Sequence, residues 1–192
     1  MEIDDVIHFG DDEYCVVKVL YRSKWSCNQR FVEPLDPNIE LRRRFYLVER
    51  GGEIYWIKEY TSPDLGHGIL YEYNETRKVF GAIGTKRGRI SAVDAIALAG
   101  NRILFEYLDG YTRLSDLRGK ISSGMGSILK ELLLKWIEKV DVRNYDMCEN
   151  NIMVKGDDKI LSVKMLDFEY STGASSNMDA WKRFIKSIKV AK

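Results

Sequence analysis

Two consecutive glycines, Gly51-Gly52, separate two runs of β-branched and aromatic residues, Phe45-Tyr46-Leu47-Val48-Glu49-Arg50 and Glu53-Ile54-Tyr55-Trp56-Ile57-Lys58-Glu59-Tyr60. A two-residue loop joins antiparallel strands only if its residues accept positive φ, which glycine does without steric cost. The pair therefore predicts a β-hairpin around a two-residue turn. The strand-like run Glu13–Tyr21 adds to a β-rich beginning. Residues 22–40, with Pro34 and Pro37 and no clear period, read as a loop or irregular edge.

Farther along, Ser62–Gly68 is turn-rich, and a helix is predicted from about Ile69 to Ile83 on the apolar positions Ile69, Tyr73, Phe80 and Ile83. Lys86-Arg87-Gly88-Arg89 reads as a basic turn, followed by strands at Ile90–Leu98 and Arg102–Tyr107. Met125, Ile128, Leu129, Leu132, Leu133, Trp136, Ile137 and Val140 form an amphipathic helical stripe. Short strands follow at Asn151–Val154 and Ser162–Phe168. A final helix, Met178–Val190, sets Trp181, Phe184, Ile185 and Ile188 against Lys182, Arg183, Lys186 and Lys189. A sheet-rich first half and a helical second half predict an α+β fold with two lobes.

The 192 residues suit one domain or two small lobes. Thirty basic and 29 acidic residues leave a net charge of +1, which speaks against a dedicated nucleic-acid binder. Cys15, Cys27 and Cys148 are odd in number and lack C-x-x-C spacing, so neither a disulfide framework nor a zinc site is expected. No apolar run reaches the length of a membrane span, and the acidic start is unlike a signal peptide. A cytoplasmic location is the expectation. His8 and His67 lack ligand-spaced partners and read as surface or turn residues.

Four segments carry candidate chemistry. Lys58, among Ile, Tyr and Trp neighbours, needs a negative partner, and Glu72 or Glu75 on the following helix can supply one. Asp146, Asn151 and Asp167 offer oxygens at the ends of short elements. Hard cations such as Mg²⁺ take such oxygens and leave positions for phosphate and water. With a lysine, this is a kit for phosphoryl transfer, whose catalysis is mainly positioning and charge neutralisation.

In that order these segments resemble the protein-kinase-like superfamily over roughly residues 43–185. The resemblance implies a bilobal fold, with a β-rich N-lobe over 1–108 and a truncated helical C-lobe over 109–192. Ile57-Lys58 is similar to the strand lysine that holds the ATP phosphates. Its implied partner is Glu75, because Asn74–Val79 resembles the family's helix; Glu72, central on the apolar stripe, is the alternative. Leu104–Gly110 resembles the hinge, with Phe105 at the gatekeeper position and Glu106 and Leu108 offering backbone contacts to adenine. Asp146 and Asn151 keep the D-x-x-x-x-N spacing, which implies a catalytic base and a metal ligand. Asp167-Phe168-Glu169 stands where D-F-G would, with Asp167 on Mg²⁺.

There are departures. No G-x-G-x-x-G precedes Lys58, and Ser23–Asn28 is the one candidate stretch for a phosphate-covering loop. Asn144-Tyr145 replaces the usual His-Arg, and nine residues separate Glu169 from Asp179. These features resemble the minimal kinases: the RIO kinases, the small kinase of the KEOPS complex, and the lipopolysaccharide and aminoglycoside kinases. The implied activity is ATP- and Mg²⁺-dependent transfer to a serine/threonine or small-molecule hydroxyl, with a protein partner open. The alternative is a pseudokinase acting as a nucleotide-binding or protein-interaction scaffold.

Overall fold

The computed structural model describes residues 6–22, 43–61, 66–140, 148–168 and 178–191. In chain order the elements are β1 (Val6–Phe9), β2 (Asp12–Arg22), β3 (Arg43–Arg50), β4 (Glu53–Tyr60), α1 (Gly66–Lys78), β5 (Ile83–Thr85), β6 (Gly88–Ala92), β7 (Ala95–Ala99), β8 (Arg102–Glu106), β9 (Thr112–Arg113), α2 (Ser123–Lys139), β10 (Ile152–Gly156), β11 (Leu161–Met165) and α3 (Met178–Ser187). The fold is α+β. Two compact units emerge, one drawing on residues 1–73 and 94–107, the other on 74–93 and 108–192. The expected loop at 22–40 lies almost wholly outside the described residues, as do Ser23–Asn28 and Asp146.

The first unit is built on a six-stranded sheet in the order β1-β2-β3-β4-β8-β7. The Gly51-Gly52 hairpin is present with its two-residue turn, Arg50 opposite Glu53, and φ is 61° and 83° at the two glycines. Alternation along the strands gives the sheet two faces. One gathers Ile7, Phe9, Tyr14, Tyr46, Val48, Ile57 and Leu104 into a core. The other carries Lys58, opposite Phe45 and Ile103. Val17 is the extra residue of a bulge between Val16 and Lys18 and stays exposed.

In the second unit a five-stranded sheet runs β5-β6-β11-β10-β9, with β6 and β11 parallel. Its second half is therefore strand as well as helix. Gly88 is required where β6 meets β11, because a Cβ there would collide with the Leu161 carbonyl. Helix α2 confirms the amphipathic stripe. Ile128, Leu129, Leu132, Leu133, Trp136 and Ile137 are all buried, joined in one core by Trp181 and Ile185 of α3 and Ile90 and Val163 of the sheet. Each such side chain contributes about 1.5–3 kcal/mol by leaving water. Ser122 caps α2, accepting from the Met125 amide at 3.1 Å.

Three sequence expectations are corrected. The final helix, expected over Met178–Val190, ends at Ser187. The helix predicted over 69–83 ends at Lys78, and Ile83 pairs with Ile90 in the β5–β6 hairpin instead. Gly81 and Gly84 weaken helix in that stretch, and the buried stripe of α1 is Ile69, Glu72 and Thr76. The single strand predicted over 90–98 is two strands in different sheets. At the break, the Val93 amide donates to the Met165 carbonyl at 2.9 Å, and the Asp94 amide to Glu106 Oε1 at 2.7 Å.

Candidate functional site

Lys58 and Tyr60 are two residues apart on β4 and so project from the same face. Both are buried, Lys58 at 4% and Tyr60 at 3% exposure. Lys58 Nζ donates to Glu72 Oε1 at 2.9 Å, and the Tyr60 hydroxyl donates to Glu72 Oε2. Glu72 is itself only 2% exposed. The observed partner is thus Glu72, and the expectation for Glu75 gives way to it. The reason is helical phase: Glu72 lies on the buried stripe with Ile69 and Thr76, while Glu75 is partly exposed and accepts from Lys78 at 3.4 Å.

Tyr60 is fixed in turn. Its amide donates to the Asn101 carbonyl at 2.9 Å, Asn101 Nδ2 donates to its carbonyl at 2.6 Å, and the Arg43 guanidinium lies 5.4 Å from its ring centroid. Removing a charge from water without a partner is prohibitive. A lysine on an apolar strand therefore persists because Glu72 compensates it, and the carboxylate is satisfied at both oxygens. Sequence reasoning missed Tyr60, although its signal, a phenol two residues from a buried lysine, was present.

Glu59, on the opposite face, forms a second buried cluster that no motif announced. Tyr46 donates to its Oε2 at 2.7 Å, Arg102 Nε donates to Oε1 at 2.8 Å, and Arg44 lies 3.6 Å from Oε2. Burial, with the hydrogen bond to Glu59 as a second cause, pushes the Tyr46 hydroxyl up to about 12.

In the second unit, Asn151 and Asp167 flank the open end of the β10–β11 hairpin. Ile152 pairs with Met165, and the Leu166 amide donates to the Asn151 carbonyl at 2.8 Å. Asn151 is buried, closing a 3₁₀ turn over Glu149–Asn151. Asp167 has φ 60°, and among the described residues no other non-glycine residue has positive φ. Its neighbours impose this: Leu166 is tied to Asn151, and Phe168 is buried in the core at 2% exposure. Aspartate tolerates the left-handed region better than most residues, yet at some cost. Such strain collects at functional positions.

One amide and one carboxylate oxygen, with remaining positions left to phosphate and water, is a donor set that suits Mg²⁺. Among the described residues no three His, Cys, Asp or Glu side chains group as a metal site.

Of the expected hinge residues, Phe105 is buried on β8 opposite Trp56. The Glu106 amide donates to the Asp94 carbonyl at 3.0 Å, so that N–H is already paired. The Leu108 carbonyl accepts from the Tyr111 amide at 3.2 Å. No protein-family model matches the chain, and no curated protein matches it significantly. Among the described residues no helix is long and apolar enough to cross a membrane.

Proposed function

We propose that this protein is an ATP-dependent phosphotransferase of the minimal protein-kinase-like type. The observation that carries the reading is the buried Lys58–Glu72 pair, a strand lysine joined to a helix glutamate. Asn151 and Asp167 at one hairpin end, the latter held at positive φ, support it further. In this reading Lys58 orients the nucleotide phosphates, and Asp146 orients or deprotonates the acceptor hydroxyl of a serine, threonine or small molecule. Asn151 and Asp167 would hold Mg²⁺, which when bound supplies charge neutralisation at the phosphates.

The test is phosphoryl transfer from γ-labelled ATP to the protein itself and to candidate acceptors. Asp146→Ala is expected to abolish transfer and leave nucleotide binding measurable, and Asp167→Ala to remove the metal dependence of binding. ATP with Mg²⁺ is expected to raise the melting temperature, since a ligand of the native state stabilises it. Absence of both transfer and thermal shift would overturn the proposal. The missing G-x-G-x-x-G before Lys58 favours a second reading, a scaffold that binds nucleotide without turnover. A thermal shift without transfer would select it.

A further inference from the structure

The chain's net charge of +1 conceals an asymmetry. The residue range of the first unit holds 10 basic and 16 acidic residues, net −6, and that of the second holds 20 and 13, net +7. Charge asymmetry within a chain points to a polyanionic partner more directly than its total does. The second unit concentrates part of this excess on α3.

Lys182 and Lys186 fall at i and i+4 of α3 with Arg183 beside them, Lys189 follows just past the end of the helix, and all four are exposed. None of them has an ion-pair partner among the described residues. The apolar side of the helix is used up, because Trp181 and Ile185 are buried in the core, as is Ile188 just past its end. The exposed stripe therefore has cations and no apolar wedge of the kind that inserts into lipid.

Next to the end of this stripe lies a cavity of about 250 Å³. Leu114, Ile121 and Ile188 give it an apolar floor, and Arg118, Glu149 and Lys189 stand around it. The Ala191 amide donates to the Ile121 carbonyl at 2.6 Å and ties the end of the basic segment to this site. Arg118 donates from Nε and Nη2, at 3.2 and 2.6 Å, to the same oxygen, Glu149 Oε2. Arg118 Nη1 and Glu149 Oε1 thus remain a donor and an acceptor without partners among the described residues. A nucleobase edge presents the complement, a donor next to an acceptor, and the apolar floor suits its ring.

We propose that the second unit binds single-stranded nucleic acid, its phosphates along Lys182, Lys186 and Lys189 and one base in this cavity. The proposal does not rest on the phosphotransfer reading, and its test needs no ATP.

The full chain is titrated against a labelled single-stranded oligonucleotide, RNA and DNA separately, and against phosphatidylcholine–phosphatidylserine vesicles, each over a range of salt. Single strands are expected to bind more tightly than vesicles. The variant Lys182→Glu/Lys186→Glu/Lys189→Glu is expected to flatten the slope of log K against log salt by about 2, equivalent to an affinity change of about 20-fold between about 50 and about 200 mM salt. Ser187→Trp, which fills the cavity from an exposed lining position, is expected to weaken binding at least fivefold, roughly the loss of one base contact, with the slope unchanged. Circular dichroism checks that both variants keep the native fold. Salt-insensitive binding, a triple variant that binds like the parent, equal affinity for vesicles, or an inert Ser187→Trp would each overturn the proposal.

Discussion

Tyr60 hydrogen-bonds to Glu72, the same carboxylate that pairs with Lys58, so one side chain of α1 is fastened to two neighbouring residues on one face of β4. The lysine–glutamate pair is thereby held by the protein's own side chains. Tyr60→Phe is expected to lower stability by about 1–3 kcal/mol, because it removes one hydrogen-bond donor from the buried Glu72 carboxylate. Urea unfolding would show this as a lower midpoint at constant m-value.

The pair itself is a stricter test. Lys58→Met or Glu72→Leu alone removes one member of a buried ion pair and is expected to cost about 3–5 kcal/mol, whereas the double variant recovers most of that loss. A double-mutant cycle by equilibrium unfolding measures the coupling. Additive losses would argue against the geometry described.

Asp167→Gly separates strain from function. Glycine accepts φ 60° freely, so the variant is expected to be as stable as the parent, or more stable by about 1 kcal/mol. Metal-dependent nucleotide binding is expected to disappear in the same protein. Calorimetry with and without ATP and Mg²⁺ reads both effects.

Tyr46 gives a pH signature. Its hydroxyl is pushed up from 10.0 to about 12 by burial and by Glu59, so it holds its proton more tightly folded than unfolded. The stabilisation this brings is fully present below pH 10 and lost as pH rises through about 12. Ultraviolet titration of tyrosinate in the native protein is expected to show one more late-ionising phenol in the parent than in Tyr46→Phe.

The glycines fall into two kinds. Gly51→Asn suits a two-residue turn with positive φ and is expected to change stability by less than about 0.5 kcal/mol. Gly156→Ala is expected to cost at least about 2 kcal/mol. Its φ is 127°, and a Cβ would collide with the Ile160 carbonyl. Thermal melts of the two variants provide the comparison.

Short-range signals were the legible ones. The Gly51-Gly52 hairpin and the α2 stripe depend on local sterics and a single face, and both stand at the expected residues. The ends of α1 and the break at Val93-Asp94 depend on pairing with β6, β11 and β8, so no local period encodes them. The same distinction holds for the site. Lys58 was legible as a lysine needing a partner, and Glu72 was legible as the residue central on the apolar stripe, set behind Glu75 only by the family resemblance. Asn151 and Asp167 were legible by type and spacing, but the left-handed backbone of Asp167 arises from its fixed neighbours. Glu59, Arg44 and Arg102 meet only because three strands align.

The parallel alignment of β6 with β11 joins residues 88–92 to 161–165 across some 70 positions. During synthesis β6 leaves the ribosome well before its neighbour exists, and such distant pairing is slow to form. The 14 residues 94–107 that complete the other sheet lie inside that interval. A nascent chain stopped after residue 107 would therefore display the β5–β6 hairpin with one strand edge open, a natural target for a chaperone until translation supplies β11.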